Sequence, residues 1–117
     1  MFYVGDILWL ESTYEIIPTN YTGIIFWSVD GIKFWYENGK HQSPQDPITG
    51  EWLPAATYPS GIKEWYDKDK KQSFQDPITQ EWMPAVIYPN GKKQWWDKDN
   101  WIQDPEIYFK DRGGIQK

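Results

Sequence analysis

Residues 30–59 read DGIKFWYENGKHQSPQDPITGEWLPAATYP, and residues 60–89 read SGIKEWYDKDKKQSFQDPITQEWMPAVIYP. Stretches 31–59 and 61–89 agree at 19 of 29 positions. A unit copied at fixed spacing marks an array in which each copy buries its face only against its neighbours, with atypical end copies acting as caps. A truncated third copy, NGKKQWWDKDN, starts at Asn90, and FYVGDILWL at 2–10 faintly resembles WYENGKHQS at 35–43. The expected organisation is a single repeat domain, 1–117. It divides into a degenerate cap 1–29, repeats 30–59 and 60–89, and a truncated repeat with C-terminal cap at 90–117.

Inside each unit the signals are β. Ala85-Val86-Ile87-Tyr88 runs into Pro89-Asn90-Gly91, where proline pre-sets the first turn dihedral and Asn or Gly accepts positive φ. The next segment alternates by face, with Trp35, Trp65 and Trp95 on one side and Tyr36, Tyr66 and Trp96 on the other. A second reversal comes after it, at Asn38-Gly39 in one copy and at Lys-Asp within DKDK and DKDN in the others. Each unit therefore reads as a three-stranded meander. Units are joined by a compact QDPITxEWxPA loop in which Asp46 or Asp76 accepts a backbone amide, while Trp52 and Trp82 fill the space between consecutive hairpins. The predicted class is all-β: an elongated, single-layer antiparallel array of hairpin or meander repeats of about 30 residues.

Aromatic residues make up 19% of the chain against an apolar total of 39%, so burial must come mainly from rings. The formal net charge of −5 argues against direct nucleic-acid binding, which needs a basic stripe, and against an anionic membrane surface. Acids outnumber bases five to two over residues 1–40, and six balance six over 81–117. With no cysteine there is neither a disulfide nor a thiolate site. The start MFYVGDILWLE lacks a basic n-region, and no apolar run approaches the ~20 residues of a span, so the expected location is cytoplasmic.

The unit G-x-K-x-W-Y-x-N-G-K, with L-P-A-x-x-Y-P-x-G after the loop, resembles the MORN-variant hairpin repeats of bacterial, bacteriophage and giant-virus proteins. Gly31, Lys33, Trp35, Tyr36, Asn38, Gly39, Lys40, Leu53, Pro54, Ala55, Tyr58, Pro59 and Gly61 carry the likeness, which extends over 30–105. Where such repeats continue N-G-K-x-H-R and end D-G-P-A, this chain has Lys40-His41-Gln42 and the longer DPIT loop. The resemblance implies an elongated stack of hairpins and an interaction module rather than an enzyme.

The residues point the same way. His41 stands alone beside a turn and is read as a solvated turn histidine. DKDN at 97–100 fails the calcium-loop spacing, because Trp101, Ile102 and Tyr108 fall where a ligand, glycine and glutamate belong. Repeated acids in series do not converge as a carboxylate pair, and Gly113-Gly114 makes no phosphate-cradling loop. The expectation is no catalysis, no metal and no cofactor.

Trp35, Trp65 and Trp95 are expected to stack as the core, leaving Tyr36, Tyr66 and Trp96 as an exposed ladder on the opposite face. That ladder, with Asp67, Asp69, Asp97 and Asp99 at the turns, is the candidate partner-binding surface. The expected partner is another protein. Acidity and small size suggest an inhibitor seated in the basic groove of a defence nuclease, in a host cytosol if phage-encoded, its turn carboxylates standing in for phosphates. Two alternatives stay open: a carbohydrate or choline binder using the aromatic ladder, and a homo-oligomer assembled through open sheet edges.

Overall fold

Tight reversals form where turn chemistry places them. Asn38-Gly39, Lys68-Asp69 and Lys98-Asp99 all have positive φ at both central positions, between 49° and 79°, as the two-residue turns that match strand twist require. Glycine and asparagine accept that conformation readily, whereas lysine does so at a cost in Cβ crowding. Lys68→Asn, which restores the residue used at position 38, is therefore expected to stabilise the protein by about 0.5–1 kcal/mol, read as a shift in the denaturant midpoint at unchanged slope.

The computed structural model describes residues 1–12 and 14–113. The end of the expected C-terminal cap, 114–117, with Gly114 of the glycine pair, lies outside the described residues. In chain order the elements are β1 (Phe2–Val4), β2 (Ile7–Leu10), β3 (Gly23–Trp27), β4 (Ile32–Glu37), β5 (Lys40–His41), β6 (Ala56–Thr57), β7 (Lys63–Glu64), β8 (Tyr66–Asp67), β9 (Lys70–Lys71), β10 (Val86–Ile87), β11 (Lys93–Asp97), β12 (Asn100–Ile102) and α1 (Pro105–Gly113). Ten strands form an open, mostly antiparallel sheet in the order β1-β2-β3-β4-β6-β7-β10-β11-β12, with β5 also on β4, and β8-β9 form a separate ribbon. The molecule measures 45 × 29 × 23 Å, an elongated all-β array that does not close into a barrel.

The repeat has a simple logic. Residues 32–37 and 93–97 are long strands, and the equivalent segment of the middle unit, 63–67, is divided at Trp65 into β7 and β8. Between 32–37 and 63–67 lie, one after the other, β5 on the upper half and β6 on the lower half. The QDPIT loop is thus an excursion from the middle of one interrupted strand, closed at its base by Leu53 N–H donating to Pro44 O and, a unit later, Met83 N–H to Phe74 O (2.9 Å each). Long strands recur at every second position, about 9.6 Å apart for a strand spacing of about 4.8 Å.

Alternation then assigns two faces. Phe34, Ala56, Glu64, Val86 and Gln94 are in register across one face, all partly or fully buried. Lys33, Thr57, Lys63, Ile87 and Lys93 are in register across the other. The loops lie over this second face, because the indoles of Trp65 and Trp95 donate to the carbonyls of Trp52 (2.9 Å) and Trp82 (2.8 Å). We term the two the tyrosine face and the loop face.

Three features depart from expectation, the first a correction and the other two local exceptions within the array. Trp35, Trp65 and Trp95 do not stack on one another as the core; they are half-buried on the loop face. The stacked rings are Trp52 on Phe74 (4.1 Å, 13°) and Trp82 on Phe109 (4.6 Å, 20°), since the loops project far enough to bring rings of successive units face to face. The most buried apolar cluster is instead aliphatic and N-terminal: Leu8, Leu10 and Ile25, flanked by Ile17, Tyr21, Trp27 and Tyr36. Second, β2 and β3 pair in parallel. Residues 11–22 are a long enough crossover to return the chain to the same end, which sets Leu8 beside Ile25. Third, the C-terminal cap holds a helix. Asp104 and Pro105 occupy its N-cap and first position, and Tyr108 N–H donates to Asp104 O (3.0 Å).

Candidate functional site

The QDPIT loops project from the array as rigid knuckles. Asp46 Oδ1 accepts the amides of Ile48 (2.8 Å) and Thr49 (3.0 Å), Thr49 Oγ1 accepts Glu51 N–H, and Gln45 Nε2 donates to Gly50 O. Asp76 repeats the pattern with Ile78 (2.8 Å) and Thr79 (2.9 Å), as do Thr79 and Gln75. The Thr49 and Ile48 amides hold the Asp46 carboxyl below its ordinary value, and Thr79 and Ile78 do the same at Asp76. An Asx turn closed this way fixes the backbone between proline and threonine. The residue it presents is isoleucine, 93% exposed at Ile48 and 78% at Ile78. Exposed Glu51 and Glu81 flank the two tips.

The residues expected to form an exposed ladder lie on the tyrosine face, and they are not free. Tyr36, Tyr66 and Trp96 are half-buried. Tyr66 and Tyr58 both donate to Glu64 Oε1 (3.1 and 2.8 Å), and Lys71 Nζ lies 3.6 Å from Glu64 Oε2 and 4.7 Å above the Trp96 ring. Burial, then the bond to Glu64, pushes the Tyr58 hydroxyl up to about 12, and burial with the Glu64 charge raises Tyr66 further. At position 64 the repeats differ in chemistry: phenylalanine at 34, glutamate at 64 and glutamine at 94, where Gln94 accepts the Trp96 indole N–H (3.3 Å).

His41 is not the solvated turn residue expected from sequence. Its ring lies 4.6 Å from Tyr36, 4.8 Å from Phe34 and 5.4 Å from Tyr66, with Nδ1 buried and without a hydrogen-bond partner. Burial lowers its pKa, opposed in part by Asp69 and Glu64. A histidine with a depressed folded pKa favours the fold while neutral, and that contribution is lost as pH falls from the ordinary histidine value through the lowered one. Melting temperature is therefore expected to drop between pH 7 and 5, and His41→Phe is expected to flatten that limb.

The turn acids divide into two structural roles. Asp69 N–H donates to His41 O (3.0 Å) while its Oδ1 accepts His41 N–H (2.6 Å). Asp99 does the same with Lys71 (3.0 Å for both bonds). These carboxylates clamp one unit's turn to the previous unit's strand. Asp97 is buried, accepting Tyr108 O–H (2.6 Å) and Gln72 Nε2–H (3.0 Å), and Asp67 is half-buried. Ser43 and Ser73 complete the stitching: each donates its amide to, and accepts at its hydroxyl from, the backbone of Tyr66 and Trp96. The expected surface is thus largely a seam between units.

Sequence reading missed Ile48 and Ile78. Their signal was present, since Pro-Ile-Thr follows an aspartate whose carboxylate accepts the loop amides and turns the isoleucine outward, and it occurs twice at one spacing. Among the described residues no group of three His, Cys, Asp or Glu could hold a metal ion, and no helix is long and apolar enough to cross a membrane. Compared with protein-family models, curated proteins and solved structures, the chain matches none.

Proposed function

We propose that the protein is a non-catalytic module that binds another protein, with the loop tips Pro47-Ile48-Thr49 and Pro77-Ile78-Thr79 as its anchors. The observation that carries this reading is the nearly full exposure of two isoleucines on loops already fixed by hydrogen bonds. An apolar side chain held rigidly in water loses little conformational entropy on docking, so most of its burial becomes affinity. Both tips project from one face, on loops that leave the sheet about two strand spacings apart, and Glu51 and Glu81 edge them with negative charge. The complementary partner offers two apolar sockets rimmed by basic groups, a description that a nucleic-acid-binding protein such as a nuclease fits. The MORN-variant resemblance supports the same class of role.

The test is a binding curve against the partner recovered on immobilised wild-type protein. Ile48→Asp with Ile78→Asp is expected to weaken binding at least ~100-fold, each anchor contributing ~10-fold or more, at unchanged melting temperature. Undiminished binding by the double variant rejects the tips as anchors. Failure of the wild type to retain any protein saturably rejects the protein-binding reading itself.

A further inference from the structure

We propose that the loop face carries a second site: a ladder of lysine–tryptophan pairs running across the strands that binds a linear acidic glycan with one negative charge on alternate sugars. Lys33, Lys63 and Lys93 are exposed and in register across this face, separated by Thr57 and Ile87. Among the described residues none of the three is in an ion pair. Two strand spacings set the backbones of successive lysines about 9.6 Å apart, a separation their exposed ammonium groups can match. A sugar in a linear chain advances by about one strand spacing, so acids on alternate sugars recur at the same interval.

Beside each lysine, two residues along the strand on the same face, stands Trp35, Trp65 or Trp95. At Trp65 and Trp95 the bond to a loop carbonyl fixes the ring plane. The C–H face of a pyranose packs against such a ring, whose own face is electron-rich. Two separate hollows lie on the row, one at Lys63 and one at Lys93. One of about 490 Å³ has Lys63, Trp65 and Ile87 in its floor and Trp52, Phe74 and Met83 in its walls. The next, about 300 Å³, lies beside Lys93 and Trp95 and ends at Trp101 and Ile102.

The charges on the walls select among polyanions. Glu51 and Asp76 line the larger groove together with Lys63. A ligand charged on every residue, as a nucleic acid is, would set phosphates against those carboxylates, whereas one charged on alternate residues presents neutral sugars there. The row lies on the sheet beneath the loops; its larger groove reaches Glu51 and Pro77 at the foot of the tips, so the site adjoins the proposed protein-binding anchors without using Ile48 or Ile78.

Titration with a hyaluronan octasaccharide, monitored by tryptophan fluorescence at low salt, tests the assignment. Saturable quenching is expected, with no response to the carboxyl-reduced octasaccharide. Lys63→Gln is expected to weaken binding about threefold to tenfold, and the Lys33, Lys63 and Lys93 triple glutamine variant to abolish it with melting unchanged. Lys70→Gln, an exposed lysine in β9 outside the row, serves as the charge control and is expected to have no effect. Absence of saturable binding, equal binding of the reduced sugar, or an equal loss with Lys70→Gln overturns the site. Tighter binding of a 20-nucleotide thymidine strand with the same lysine dependence also overturns it, in favour of single-stranded nucleic acid.

Discussion

Replacing Phe109 by alanine is expected to destabilise the protein by about 3–5 kcal/mol. Phe109 is 3% exposed and stacks on Trp82 at 4.6 Å, with Tyr108 stacked behind it at 5.0 Å. In the preceding unit that place against Trp52 belongs to Phe74 of the next repeat. The helix therefore supplies the ring that a further repeat would have supplied, and its removal leaves one face of Trp82 open. Stability in an array is a sum of units and nearest-neighbour interfaces, so the loss should be polar along the chain. Amide exchange is expected to accelerate over residues 82–102 and to stay near wild type in β2, β3 and β4. Uniform acceleration, or a loss below about 1 kcal/mol where a buried ring should cost about 3–5, would show that the helix does not cap the array.

Glu64→Ala comes second, at about 2–3 kcal/mol, because it strands two partly buried tyrosine hydroxyls and the Lys71 ammonium together. Glu64→Gln is the informative partner. It keeps an acceptor oxygen and copies the residue already present at position 94, so its cost is expected to stay near ~1 kcal/mol. The two variants also differ from wild type at high pH. A tyrosine whose folded pKa is raised favours the fold while protonated, and that contribution is lost as pH rises from about 10 through the folded value. With the carboxylate gone the Tyr58 hydroxyl, pushed up to about 12 in the wild type, should ionise earlier. Spectroscopic titration of tyrosinate is the measurement, and an unmoved curve in Glu64→Gln would show that burial alone sets the shift.

How far the chain could be read depended on whether a feature was local. The tripeptide Gln-Asp-Pro occurs at 45–47, 75–77 and 103–105. In the first two the aspartate accepts loop amides, and in the third it caps a helix. The next residues decide between the two outcomes: Ile-Thr-Gly or Ile-Thr-Gln turns back, while Glu-Ile-Tyr-Phe-Lys continues as a helix with glutamate in its first turn. Asp-Pro-Glu is a legible helix start that the repeat pattern masks. The turn acids failed for a different reason. Asp69 and Asp99 sit in exposed turns, but their clamps reach back 28 residues to His41 and Lys71, and no local pattern reveals that destination.

By itself the sequence determined the unit, its length, its reversals and the alternation of side chains along each strand, because turn dihedrals and pleat are properties of a few neighbouring residues. It also determined that successive units are equivalent, since near-identical segments seek near-identical surroundings. Only the tertiary structure decided which face the loops cover, which aromatic rings therefore meet, and whether a turn carboxylate is free or spent on the neighbouring unit. Those outcomes depend on where a loop leaves the sheet and which unit it returns to, and contacts made across a full repeat leave no mark within either segment alone.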